Sequence, residues 1–130
     1  GGVMKRGLFL PLAVLTALLA LSLWNAQHMA RETARFQTQL QQADALAQTE
    51  NWPQTRAVLQ ESYRDWSRCQ TYLHIVTEHS AVDDAEAMYR RAMAFAATEE
   101  ITEFRAETAD LTDQLRLLGE MERLSLRNIL

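Results

Sequence analysis

His74, Glu78, His79 and Asp83 bring two imidazoles and two carboxylates into ten residues, the donor types that zinc takes. His74 and Glu78 stand one helical turn apart, and His79 with Asp83 would straddle a turn between helices. The spacing argues against a shared ion: on an unbroken helix His74 and His79 point about 140° away from each other. Each residue also has a separate role to play. His79 near a helix C-terminus meets the negative end of the dipole, Asp83 suits the start of the next helix, and His74 suits a solvated face. These four are therefore weak metal candidates, and neither a metal nor another cofactor is expected. Trp52 and Trp66 could stack a ligand, but at helical spacing such rings belong to a core. Cys69 is the only cysteine, so no disulfide can form within the chain, and in an apolar stripe it reads as a small hydrophobe. There is no glycine-rich phosphate loop, nucleophile elbow, paired-histidine zinc helix or CxxC. No catalytic residue can be named, and an enzyme is not expected.

The elements that carry these residues begin with an apolar run. From Gly7 to Trp24 no residue is charged, and eight leucines, Phe9 and Val14 dominate. Eighteen residues make about 27 Å of helix, close to the hydrocarbon thickness of a bilayer. Pro11 falls near the start, where a missing N–H matters least. Lys5 and Arg6 precede the run, and the first acid is Glu32, so the basic flank is expected to stay in the cytoplasm. A cleaved signal peptide has the same two regions. After Leu23-Trp24-Asn25-Ala26, however, no small-x-small triplet follows, and Trp24 suits the membrane–water boundary. The reading is an uncleaved anchor: residues 1–6 cytoplasmic, 7–24 in the lipid bilayer, 25–130 an extracytoplasmic domain on the cell membrane. Beyond Arg6, eleven arginines face seventeen acids, and so acidic a domain does not suit nucleic acid.

The rest of the chain reads as four amphipathic helices, rich in alanine, leucine, glutamine, glutamate and arginine. Met29, Thr33, Phe36, Leu40, Ala43 and Ala47 form the first seam, in a helix that continues from the anchor to about Glu50. Asn51-Trp52-Pro53 opens a second helix to about Glu78, with Leu59, Trp66 and Leu73 on one line and Ser62, Cys69 and Val76 between them. Ser80 is expected to cap a third helix with seam Val82, Ala85, Tyr89, Ala92 and Ala96. Thr98 is expected to cap a fourth, in which Ile101, Phe104, Thr108, Leu111, Leu115 and Leu118 step by three and four. Gly119 is the expected stop, turning Leu124, Leu126, Ile129 and Leu130 back onto the bundle or out to a partner. Short connections force antiparallel neighbours. The fold class is all-α: an N-terminal transmembrane helix continuing into an antiparallel bundle of about four helices. No repeat near the thirty-four residues of a tetratricopeptide unit is found.

The order of these features resembles the domain of unknown function 4363 family. The resemblance lies in the N-terminal anchor, Asn51-Trp52 opening a helix, Trp66 within it, Glu78-His79-Ser80 before Val82-Asp83, and Leu124-Ser125-Leu126-Arg127-Asn128-Ile129-Leu130. It implies a small single-anchor membrane protein of Gram-positive spore-forming bacteria and carries no activity with it. The chain departs from the pattern in having Lys5 as its only lysine and Ala81 in place of an acid. The leading functional expectation is an extracytoplasmic interaction module or accessory subunit, docked to another membrane protein. The alternative is an extracytoplasmic four-helix domain that senses a ligand.

Overall fold

The computed structural model describes residues 2–76 and 79–129, with side chains over 7–73 and 79–124. Four helices account for nearly all of it: α1 (Gly2–Gln48), α2 (Trp52–Val76), α3 (His79–Ala97) and α4 (Ile101–Ile129). α1 packs on α2, α2 on α3, α3 on α4, and α4 returns to α1. With two short turns at one end, that cycle is an up-down-up-down bundle. At 47 residues α1 is about 70 Å long. Its C-terminal portion from Met29 builds the bundle and its N-terminal portion stands clear of it.

The core is made by the seams expected from the sequence. Met29, Phe36, Leu40, Ala43 and Ala47 of α1 meet Leu59, Trp66 and Leu73 of α2, Val82, Ala85, Tyr89, Ala92 and Ala96 of α3, and Phe104, Leu111, Leu115 and Leu118 of α4. Ile101 departs from its expected place and is 38% exposed, because it opens α4 at the rim of the bundle.

The turns at the far end from the α1 extension are twins. Glu50 N–H donates to Ala47 C=O (2.9 Å) and Asn51 N–H to Leu46 C=O (3.0 Å). Glu99 N–H donates to Ala96 C=O (3.3 Å) and Glu100 N–H to Phe95 C=O (2.9 Å). Both are Schellman closures, with Glu50 (φ 62°) and Glu99 (φ 58°) in the left-handed position that glycine usually holds. Asn51 and Glu100 then serve at once as the end of one closure and the start of the next helix, accepting from Thr55 and Phe104 N–H. Thr98 therefore closes α3, through its hydroxyl bond to Ala94 C=O (3.2 Å), instead of capping α4. Likewise His79 is already helical, which puts Ser80 inside α3 instead of ahead of it.

This twinning extends through most of the bundle, with exceptions such as buried Trp52 against exposed Ile101 and half-buried Cys69 against buried Leu118. Buried positions 33, 36, 40, 43, 47, 55, 59, 62, 66 and 73 of the first hairpin recur, forty-nine residues on, as buried positions 82, 85, 89, 92, 96, 104, 108, 111, 115 and 122 of the second. Around the turn the residues themselves repeat. Ala43, Ala45, Ala47, Thr49, Glu50, Arg56 and Ala57 are matched by Ala92, Ala94, Ala96, Thr98, Glu99, Arg105 and Ala106. The bundle is one helical hairpin used twice.

Two expectations about breaks in helices are corrected. α4 does not stop at Gly119: it runs on to Ile129, and Gly119 has no left-handed φ. The glycine is there for closeness, since a Cβ on it would lie 3.2 Å from Thr33 Oγ1 on α1. The tail therefore continues α4 straight on, away from a fold back over the bundle. Pro11 lies well inside α1 because that helix already begins at Gly2.

Candidate functional site

The N-terminal part of α1 is apolar and uncovered. Leu8, Phe9, Leu10, Leu12, Val14, Leu15, Leu18, Leu21, Leu23 and Trp24 are 41–72% exposed. Among the described residues, only Ile101, Leu117 and Leu124 join them as exposed large hydrophobics. The helix is long and apolar enough to cross a membrane, and none of its most apolar window is buried by the rest of the chain. Thr16 returns its hydroxyl to Leu12 C=O (2.8 Å), so the one side-chain donor in the middle of the run is satisfied within the helix. At the end of the run Trp24 stacks on His28, with ring centroids 6.2 Å apart.

A second group of polar residues lies between α2 and α3. Glu86 of α3 accepts hydrogen bonds from Tyr63 Oη, Trp66 Nε1 (2.9 Å) and Arg90 Nε (3.1 Å). Burial alone would raise its pKa, but those three donors and the Arg90 charge outweigh burial and hold it below the usual glutamate value. Ser62 and Tyr89 share a buried hydrogen bond of 2.8 Å, and burial pushes the Tyr89 phenol up. Trp66 stacks on Tyr89 (5.7 Å, 29°) and takes Phe36 edge-on (6.3 Å, 76°). Trp52 instead meets Phe104 edge-on (5.6 Å, 82°) at the other end of the core. The two tryptophans serve separate parts of the packing. A carboxylate saturated by three donors and a phenol kept neutral form a structural network, with no proton poised for transfer at neutral pH.

The third group sits where the bundle meets the free part of α1. Glu122 of α4 is buried, accepts from Tyr72 Oη (3.0 Å), and has no hydrogen-bond partner for Oε2 among the described residues. Burial raises its pKa, which the Tyr72 bond only partly offsets. Burial together with the Glu122 carboxylate pushes Tyr72 up to about 12. Beside them a small cleft of about 130 Å³ is lined by Asn25, His28, Met29, Arg68, Cys69 and Tyr72. Cys69 is half-buried there, its thiol raised by burial and then by Glu32, whose carboxylate lies 4.0 Å away. A raised pKa keeps the thiol protonated and poorly nucleophilic.

The proposed ligand set divides. His79 and Asp83 are exposed on the first turns of α3, whereas the side chain of His74 and all of Glu78 lie outside the described residues. Among the described residues no three His, Cys, Asp or Glu are grouped to hold a metal. Leu124 is 55% exposed, and the side chains of Leu126 and Ile129, with all of Leu130, lie outside the described residues. From the sequence Glu86 reads only as negative charge near the start of the third helix, and Glu122 is not singled out. Glu86 gives no further signal, because its donors come from another helix. Glu122 does give one: it is the next step of the Leu111, Leu115, Leu118 seam, a carboxylate at a core position.

These features define an all-α protein, a four-helix bundle carried on an exposed apolar helical extension. The chain belongs to the family of domain of unknown function DUF4363, whose profile matches residues 23–129. The match starts at the C-terminal end of the apolar run and takes in the bundle. No curated protein and no solved structure matches the chain.

Proposed function

We propose that this protein is a membrane-tethered interaction module, an accessory subunit that presents its helical bundle on the extracytoplasmic side of the cell membrane. Residues 7–24 cross the bilayer once, with Lys5 and Arg6 holding the N-terminal flank in the cytoplasm. The observation that carries this reading is the contrast in exposure along one helix. Ten large apolar side chains between Leu8 and Trp24 are bare, while from Met29 onward the seam of the same helix is buried. Bare apolar surface of that extent needs a cover, and its length matches the bilayer core. The bundle adds a helical surface on which no metal-ligand group is found among the described residues, which suits binding to another membrane protein.

The test moves the single thiol to the far end of the bundle, combining Cys69→Ser with Gln48→Cys, an exposed position at the end of α1. Intact cells treated with a membrane-impermeant maleimide should label without lysis. Labelling only after lysis reverses the orientation, and recovery of the protein in the soluble fraction removes the anchor. Gentle solubilisation should bring down a membrane protein in fixed proportion, and recovery of this chain alone argues against a subunit.

A further inference from the structure

We infer that the last turns of α4, around Leu124, Leu126 and Ile129, lie in the headgroup region of the bilayer that α1 crosses, so that the bundle is seated on the membrane at two points. The inference rests on the anchor reading above and adds a second lipid contact to it. Register is the first support. Arg105 of α4 meets Asp44 of α1 (3.1 Å), and Gly119 lies against Thr33, so the two helices run antiparallel with a fixed pairing. α4 remains helical to Ile129. Continued residue for residue, that pairing sets position 126 level with about 23–26 of α1 and position 129 level with about 20–23. Those levels belong to the outer end of the apolar run, where Leu21, Leu23 and Trp24 are exposed. α4 therefore reaches past the bundle to the depth at which its neighbour enters lipid.

Composition is the second support. Leu124, 55% exposed, comes just above that depth, and Leu126 and Ile129 follow it. Arg127 and Asn128 are interleaved with them, a mixture suited to an interface and unsuited to the hydrocarbon centre. The third support is charge. Arg31, Arg68 and Arg123 are exposed on three different helices. Arg31 is seven residues beyond Trp24, Arg68 adjoins Cys69 opposite Glu32, and Arg123 adjoins Glu122 opposite Tyr72. All three lie within about 15 Å of the Trp24 level, at the depth where lipid phosphates would be, although Arg68 is also 3.8 Å from Asp65 and exposed Glu120 shares the level. The twin turns at the opposite end carry Glu50, Glu99 and Glu100, all exposed acids suited to water.

The full chain, reconstituted into vesicles of phosphatidylcholine and phosphatidylglycerol, tests this with single-cysteine variants in the Cys69→Ser background. Leu126→Cys, Leu15→Cys, Trp24→Cys and Gln54→Cys are each labelled with an environment-sensitive fluorophore and quenched by lipids bearing a shallow or a deep nitroxide. Position 126 should be blue-shifted and quenched by the shallow nitroxide about as strongly as position 24. Position 15 should respond to the deep one, and position 54 to neither. Quenching at 15 with a water-like probe at 126 overturns the second contact and leaves the anchor standing. A blue-shifted probe at 126 that no lipid nitroxide quenches also overturns it, in favour of contact with protein. No quenching at 15 removes the anchor and this inference together.

Discussion

The hairpin α1–α2 and the hairpin α3–α4 share a frame and differ in what fills it. At equivalent positions the first carries Phe36, Leu40 and Trp66 where the second carries Ala85, Tyr89 and Leu115. The large ring of Phe36 thus has a methyl for its counterpart, and Trp66 stacks across the interface on Tyr89. A repeated frame fixes the register of four helices, but two copies with equal side chains would distinguish less between a left-turning and a right-turning bundle. The unequal filling gives the interface a single fit. The polar groups differ in the same direction. Glu86, which gathers Tyr63, Trp66 and Arg90, has Gln37 as its counterpart, and buried Glu122 has Leu73.

The largest expected effect comes from removing the ring at the centre of this asymmetry. Among the described residues every buried one lies at Met29 or later, so a fragment of residues 25–130 keeps the described core. Trp66→Ala in that fragment should cost roughly 3–5 kcal/mol by denaturant unfolding, since Trp66 is fully buried and touches Phe36, Tyr89 and Glu86. Leu115→Ala, its counterpart, should cost less, about 2–4 kcal/mol, because a leucine side chain has no ring stack or hydrogen bond of its own to lose. Equal losses at the two sites would show that the hairpins contribute alike and that the asymmetry is incidental.

Much of this frame is legible in the sequence. The apolar periods name nearly every core residue, because burial of one helical face leaves a direct mark on residue type. What the sequence hides is what helices decide between themselves. Gly119 reads as a stop, yet it serves as a point of close approach to Thr33 eighty-six residues earlier. Pro11 reads as an N-terminal residue, yet the helix had already begun. The forty-nine-residue repeat is written plainly around the turns, in Thr49-Glu50 and Thr98-Glu99. A search near thirty-four residues passes over it, and elsewhere the repeat preserves burial without preserving side chains.

Glu86 offers an intermediate effect with a pH signature. Glu86→Gln keeps the shape but replaces one acceptor oxygen with a donor that faces Tyr63 or Trp66. At neutral pH it should cost about 1–3 kcal/mol. Because the folded pKa of Glu86 is depressed, its contribution is present above the ordinary value of 4.5 and is lost as pH falls through the folded value. The stability curves of wild type and variant should therefore converge in acid. Glu122 acts in the opposite sense: its raised pKa favours the protonated folded form, so its contribution grows as pH falls and cannot cause the convergence. Curves that stay parallel down to strongly acidic pH would mean that Glu86 stabilises by shape alone.

The smallest expected effect is the most pointed test of the twinning. Arg56 and Arg105 occupy equivalent positions, and each reaches from the second helix of its hairpin across to the other hairpin. Their acceptors differ. Arg105 Nε is 3.1 Å from the Asp44 carboxylate, whereas Arg56 donates to Ala96 C=O (3.3 Å) and lies 3.7 Å from Glu99. All four side chains are partly exposed, so each replacement by glutamine should cost only about 0.2–1 kcal/mol. Salt separates them. Both arginines make a direct hydrogen bond, but Arg105–Asp44 also joins two full charges near water, and that charge–charge part should be weakened most at about 1 M salt, where the Debye length is about 3 Å. Arg56 makes a direct bond to a carbonyl in the last turn of α3, and that contact survives screening better because part of it is a short-range hydrogen bond. Measured in low and high salt, the cost of Arg105→Gln should fall by the larger fraction, while that of Arg56→Gln changes less. If both costs vanish together, the two arginines are interchangeable surface charges, and the equivalence of the hairpins extends to their electrostatics as well as their frame.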